Sequence, residues 1–240
     1  MELNRLFESG TPLNRYGYGD RALREEIVQT VANGAHTDAA VVTRNAYGAL
    51  VLNTASTMFI DVDFPSDGKA AGTGGLFRRL LGKTASPGPQ ETALQQVQDW
   101  AGQQPSLGLR VYRTCAGLRC LVTNRTYDPA RAETMEILRS IGSDPLYIRL
   151  CQAQACFRAR LTPKPWRCGV PMRPPKYPWA DAAAESQFRQ WQTGYQRSIQ
   201  GYSVCRLLQH FGPEPVHPEI RPILDLHDRF VCERPDRPLA

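Results

Sequence analysis

The 240-residue sequence contains no apolar run near the roughly 20 residues that a membrane-spanning helix needs. Its opening, "MELNRLFESG", has no basic stretch followed by an apolar core, so no secretory signal is read there and a cytoplasmic setting is expected. The seven cysteines (Cys115, Cys120, Cys151, Cys156, Cys168, Cys205, Cys232) are odd in number and form no CxxC pair. That spacing excludes a disulfide framework and a structural zinc site, and leaves Cys120, Cys151 and Cys156 as small buried hydrophobes in strand-like segments. A P-loop is missing as well: "GKAAGTGG" has no properly placed Lys-Ser or Lys-Thr, and the "GKT" at 82–84 lacks a glycine five positions earlier. His217 and His227 do not have the i, i+4 spacing of a helical metal pair. No internal repeat is present. A strong charge bias is absent too: a net charge of +6, carried mostly by arginine, permits a polyanionic partner without requiring one.

What is there is the composition of an ordinary globular protein, 42% hydrophobic and 22% charged. Residues 1–20 read as an irregular lead-in. Leu23, Ile27 and Val31 at helical spacing predict a helix over "RALREEIVQTVANGAHT", stopped by Gly34. "AAVVTRN" and "GALVLNT" predict two strands, and "MFIDVDFP" at 58–65 a third. The Gly-, Ser-, Ala- and Pro-rich stretch 66–90 predicts a flexible insertion. Beyond it, "ETALQQVQDWAGQQ" predicts a helix, "GLRVYRT" and "GLRCLVT" a hairpin, and "DPARAETMEILRSIG" a helix capped by Asp128. "PLYIRLC" and "ACFRARL" predict a second hairpin. From residue 58 the order is β-α-β-β-α-β plus one strand, that of ferredoxin-like and RNA-recognition folds. The expected class is therefore α+β: a βαββαβ sheet core with flanking helices, extra N-terminal strands and a small helical C-terminal extension. In domain terms, 1–170 is the core and 171–240 a Pro-rich linker followed by an α/β extension, with a helix near 181–198, a strand at "YSVCRLLQHF" and a helix from about 217.

The quoted strand poses the functional question, because its buried-looking run ends in two carboxylates. Residues two apart in a strand face the same way, so Asp61 and Asp63 project together and repel unless a proton or cation lies between them. Alternation in "GLRCLVT" and "ACFRARL" sends Arg119, Arg158 and Arg160 to an open sheet face, with Asp144 at a strand start nearby. On that pattern Asp61, Asp63 and Asp144 can hold Mg²⁺ or Mn²⁺, while Arg119, Arg158, Arg160 and Lys164 bind phosphate. "RLTPKPWRCG" adds Trp166 and Arg167, an aromatic face and a charge on which an unpaired base can stack, or a Trp packed between prolines.

Three segments in order resemble the archaeo-eukaryotic primase and primase-polymerase superfamily. They are "FIDVD", "TCAGLRCLV" from Thr114 to Val122, and "SDPLYIRLCQAQACFRARLTPK", together spanning about 58–164. The resemblance implies an RNA-recognition-like catalytic sheet, carboxylates at Asp61, Asp63 and Asp144, and nucleotide contacts from Thr114 onward. It also marks a departure, because Arg119 stands where that family has its nucleotide-binding histidine, which implies a divergent relative. Two function classes follow. One is a metal-dependent nucleotidyltransferase acting on nucleic acid with a nucleoside triphosphate. The other is a non-catalytic nucleic-acid-binding protein on the same fold. A nucleotide-sugar transferase is a third use of D-x-D, but it would want a doubly wound half ahead of the motif.

Overall fold

A computed structural model of the chain describes residues 25–32, 39–64, 88–171 and 174–240. The expected lead-in and nearly all of the expected insertion lie outside these residues. Those described form a mixed α+β protein with two antiparallel four-stranded sheets and five α-helices. None of the helices among them is long and apolar enough to cross a membrane.

The first sheet has the order β1-β2-β3-β7, from β1 (Glu26–Val31), β2 (Ala40–Arg44), β3 (Leu50–Thr54) and β7 (Phe157–Arg160). β1 corrects the helix expected there. Ile27, Val28, Thr30 and Val31 are β-branched and stiff at χ1, and pairing with β2 outweighs the helical spacing of three apolar residues. The β2–β3 turn is held by Asn45, whose Oδ1 accepts from the Tyr47 and Ala49 amides. Gly48 there has φ +88°, and a Cβ on it would meet the Trp191 ring at 2.2 Å, so only glycine fits.

The second sheet has the order β4-β6-β5-β8, from β4 (Phe59–Asp63), β5 (Leu109–Thr114), β6 (Gly117–Val122) and β8 (Cys205–Phe211). Its register puts Ile60, Val62, Leu118, Cys120, Val122, Leu109 and Val111 on one face, all buried. They share a core with Val97, Trp100 and Ala101 of α1 (Pro89–Gly102) and Met135 and Leu138 of α2 (Ala132–Ser140). Burying side chains of this size supplies about 1.5–3 kcal/mol each, which holds the helices on that face. The α2 cap differs from expectation: Arg131 is the N-cap, and Asp128 instead accepts from the Ala130 amide in the turn before it.

Two further corrections concern the expected second hairpin. "PLYIRLC" is not a strand but the start of α3 (Pro145–Gln154). Asp144 caps it, Pro145 takes the first turn, and Tyr147, Ile148, Cys151 and Gln154 bury one helical face. β7 then pairs with β3, not with β4, so the two arginines of "FRAR" belong to the first sheet. In the second sheet β4, β6 and β5 lie side by side, and the fourth strand is β8, from the region read as an extension. α4 (Ala182–Ser198) precedes β8 and α5 (Arg221–Val231) follows it, both where helices were expected.

Candidate functional site

The second face of the second sheet carries Phe59, Asp61 and Asp63 of β4, Arg119 of β6 opposite Asp61, and Tyr112 of β5 opposite Arg119. Alternation alone puts the two carboxylates side by side, as expected. Gly117 lies opposite Asp63, and a Cβ there would sit 2.3 Å from the Val62 carbonyl oxygen. The glycine of "CAGLR" thus admits the neighbouring strand. The free edge of β4 is closed by α3: the Asp144 amide donates to the Asp61 carbonyl at 2.8 Å, Ser143 Oγ to the same oxygen at 3.0 Å, and Tyr147 Oη to the Phe59 carbonyl at 2.9 Å. Asp144 therefore sits beside the pair, but its two carboxylate oxygens accept the Leu146 and Tyr147 amides of its own helix, each at 3.1 Å. Burial, then the charges of Asp61 and Asp144, push the Asp63 carboxyl above its ordinary value, while Lys164 and Arg167 pull the other way.

Arg119 is buried, with 3% of its side chain exposed. Its Nε lies 3.9 Å from Asp61 Oδ1, and its Nη1 donates to the Arg160 carbonyl at 2.9 Å. The same Nη1 is 3.4 Å from His227 Nε2. Arginine offers only hydrogens, so Nε2 must accept, and His227 Nδ1 then carries the proton donated to Asp228 Oδ1 at 2.9 Å. Asp228 also accepts from Tyr112 Oη at 2.7 Å and Arg110 Nη1 at 2.6 Å. A polar chain thus runs from α5 across this face of the sheet to Asp61. Burial first, with Arg119 and Arg110 adding to it, pushes the His227 imidazole down to about 4, against its hydrogen bond to Asp228. The Asp228 carboxyl falls below its ordinary value because the bonds from His227 and Tyr112, with the charges of His227 and Arg110, outweigh burial.

The cations divide. Lys164 and Arg167 flank the acids, as Asp63's electrostatics report, and Arg160 lies within electrostatic reach of Lys164. Arg158 does not join them. It is locked to the buried Glu25, with Nη2 at 2.8 and 2.9 Å from the two carboxylate oxygens and Nη1 at 2.7 Å from Gln154 Oε1. Thr114 ends β5 with its hydroxyl donating to the Gly117 carbonyl at 3.1 Å. The expected single open face of acids and arginines is therefore split between two sheets. Among the described residues no three His, Cys, Asp or Glu side chains form a group able to hold one metal ion.

Four residues of the arrangement escaped the sequence: Arg110, Tyr112, His227 and Asp228. Parity gave a signal for the first two, because Tyr112 falls opposite Arg119 once the hairpin register is drawn. His227 was also visible as a polar residue in the apolar stripe Ile223, Leu224, Val231 of α5, a position that asks for a partner.

Together these features define a mixed α+β protein with an acidic pair at a sheet edge, cations around it and a buried polar chain leading to it on the same face. Compared with protein-family models, curated proteins and solved structures, the chain matches none of them.

Proposed function

We propose that the chain is a divergent primase-polymerase-like nucleotidyltransferase, acting on nucleic acid with a nucleoside triphosphate and Mg²⁺ or Mn²⁺. The observation that carries this is the acidic pair Asp61–Asp63 on one face of β4, facing Lys164 and Arg167. The β4-β6-β5 strands with α1 and α2 behind them serve in this reading as the RNA-recognition-like core. A cytoplasmic setting belongs to it as well, and seven free thiols support that setting.

Magnesium commonly takes one or two carboxylates and completes its shell with water and substrate phosphate, so the pair fits such an ion without a third protein ligand. Asp61 and Asp63 would hold it; Asp144, engaged in its cap, would act on the pair through its charge. Bound there, the ion would polarise a phosphoryl oxygen and neutralise developing charge. The chain's own groups do the rest. Lys164, Arg167 and Arg160 neutralise phosphates, and Arg119 steadies the Asp61 carboxylate from the neighbouring strand on the same face. Burial keeps Arg119 itself from the contact that the histidine makes in the family it resembles.

That burial favours a second reading in which the same face binds nucleic acid without chemistry. A nucleotide-sugar transferase gains no support, since the described strands ahead of the acidic pair, β1 to β3, are antiparallel rather than doubly wound. Primed-template extension with labelled nucleoside triphosphates, in Mg²⁺ and then Mn²⁺, tests the proposal. Incorporation by the wild type that disappears in Asp61→Asn and Asp63→Asn is expected. Retained template binding without incorporation under either ion would sink the enzyme and leave the second reading.

A further inference from the structure

Trp166 is 52% exposed, although its neighbours Pro165 and Cys168 are buried. The loop that carries it is fixed. Arg167 and Val170 amides donate to the Lys164 and Pro165 carbonyls at 2.9 and 3.0 Å, Cys168 Sγ donates to the Lys164 carbonyl, and Tyr195 Oη donates to the Pro163 carbonyl. Tyr195 is in turn stacked on Trp191, with ring centroids 5.0 Å apart at 17°. Tyr47, on the equally constrained β2–β3 turn, meets Trp166 edge to face at 5.2 Å and 66°. An aromatic ring presented to water by two braced loops has little to gain from its own fold.

Cations stand around the ring, offset in part by the nearby carboxylates of Asp61 and Asp63. Lys164 Nζ lies 5.6 Å from the Trp166 ring centroid. Burial, then the charges of Arg160 and Arg167, hold the Lys164 amine below its ordinary value, against the opposite pull of Asp61 and Asp63. Arg160 Nε is buried and has no hydrogen-bond partner among the described residues. Cations gathered against one another are stabilised by an anion, and a flat ring beside them is stabilised by another flat ring.

We propose that Trp166, with Tyr47 at its edge, is a stacking platform for an unpaired base of single-stranded nucleic acid, whose phosphates run over Lys164, Arg167 and Arg160 toward Asp61 and Asp63. The site rests on the nucleic-acid reading proposed above and adds the form of the ligand. Stacking accepts any base, so the platform selects single strands over duplex, in which the base faces are occupied, and carries no sequence preference of its own.

Fluorescence anisotropy at low salt with two labelled probes tests it: a short oligo(dT), and a matched oligomer of abasic deoxyribose phosphates. Wild type should prefer oligo(dT). Trp166→Ala should weaken oligo(dT) about tenfold and leave the abasic probe unchanged. Trp166→Phe should restore most of the loss. Lys164→Gln with Arg167→Gln should weaken both probes and flatten the salt slope by about 0.7 for each phosphate released. If both probes bind wild type equally, or Trp166→Ala leaves oligo(dT) unaffected, the platform is wrong while a phosphate-binding face still stands. If neither probe binds at any salt, the platform and the nucleic-acid reading fall together.

Discussion

His227 has no exposed surface and is held neutral among polar and charged groups: Arg119 on one nitrogen, Asp228 on the other, with Arg110 and Tyr112 on Asp228. An imidazole whose folded pKa falls from 6.5 to about 4 binds fewer protons in the folded than in the unfolded state between those values. Its share of stability is therefore fully present above pH 6.5 and lost as pH falls toward 4, at up to about 1.36 kcal/mol per pH unit. Asp228, whose pKa is lowered, adds a loss of the same sign, but only below its ordinary 3.8. Asp63, whose pKa is raised, acts oppositely, gaining stability as pH falls toward 3.8. Comparing melting temperatures from pH 7 to 4.5 in wild type and His227→Gln isolates the imidazole, because Asp63 is common to both. The variant should show a visibly flatter acid limb; parallel curves would mean that His227 takes up no proton on unfolding.

At the scale of elements, most of the chain was legible and the exceptions have physical causes. β2, β3, β4, β8, α1, α4 and the β5–β6 hairpin follow from alternation and helical spacing, signals carried within each segment. α3 was misread because Tyr147, Ile148 and Leu150 suit a strand, although Asp144-Pro145 is a helix start; the cap and the fixed proline φ outweighed the β propensity. The partnering of β7 with β3 is non-local, and no spacing within "FRAR" encodes it. The same holds for Arg158, which looked available until Glu25, more than a hundred residues earlier, proved to be its partner. The space beside Gly117 is taken by the β4 backbone. Gly117→Ala would set its Cβ against Val62 oxygen at 2.3 Å and Asp63 Cα at 3.0 Å, both backbone atoms that cannot rotate away. The strands must part, at a cost of about 1–3 kcal/mol, which for a chain of this size lowers the melting temperature by about 2–4 °C per kcal/mol. Gly102→Ala, at a helical position with nothing within 4 Å of the added carbon, should leave stability equal or slightly higher. Equal melting temperatures for the two variants would refute the tight β4–β6 approach.

Across the whole molecule, the candidate site joins segments far apart in sequence. β4 supplies the acids, β6 the buried arginine, the loop after β7 the cations and Trp166, and the last forty residues both β8 and the His227–Asp228 pair. β8 pairs with β5 along six positions, from Leu109–Phe211 to Thr114–Cys205. α5 covers Phe59 and Tyr112, with its His227 ring centroid 5.2 and 5.0 Å from theirs. The division expected near residue 170 therefore cuts through one sheet and one polar chain. A chain ending at residue 170 would expose the unpaired edge of β5, uncover Phe59 and Tyr112, and leave Arg119 without the acceptor that fixes it. It would also lose Tyr195, the brace of the Trp166 loop, so the cations would lose their fixed placement beside Asp63. Such a truncated chain should show no cooperative thermal transition and no near-ultraviolet circular dichroism of packed aromatics, while the full chain shows both. A sharp transition in residues 1–170, with Asp63 still titrating above its ordinary value, would instead make the C-terminal region dispensable to the fold and confine the site to the segment ahead of it.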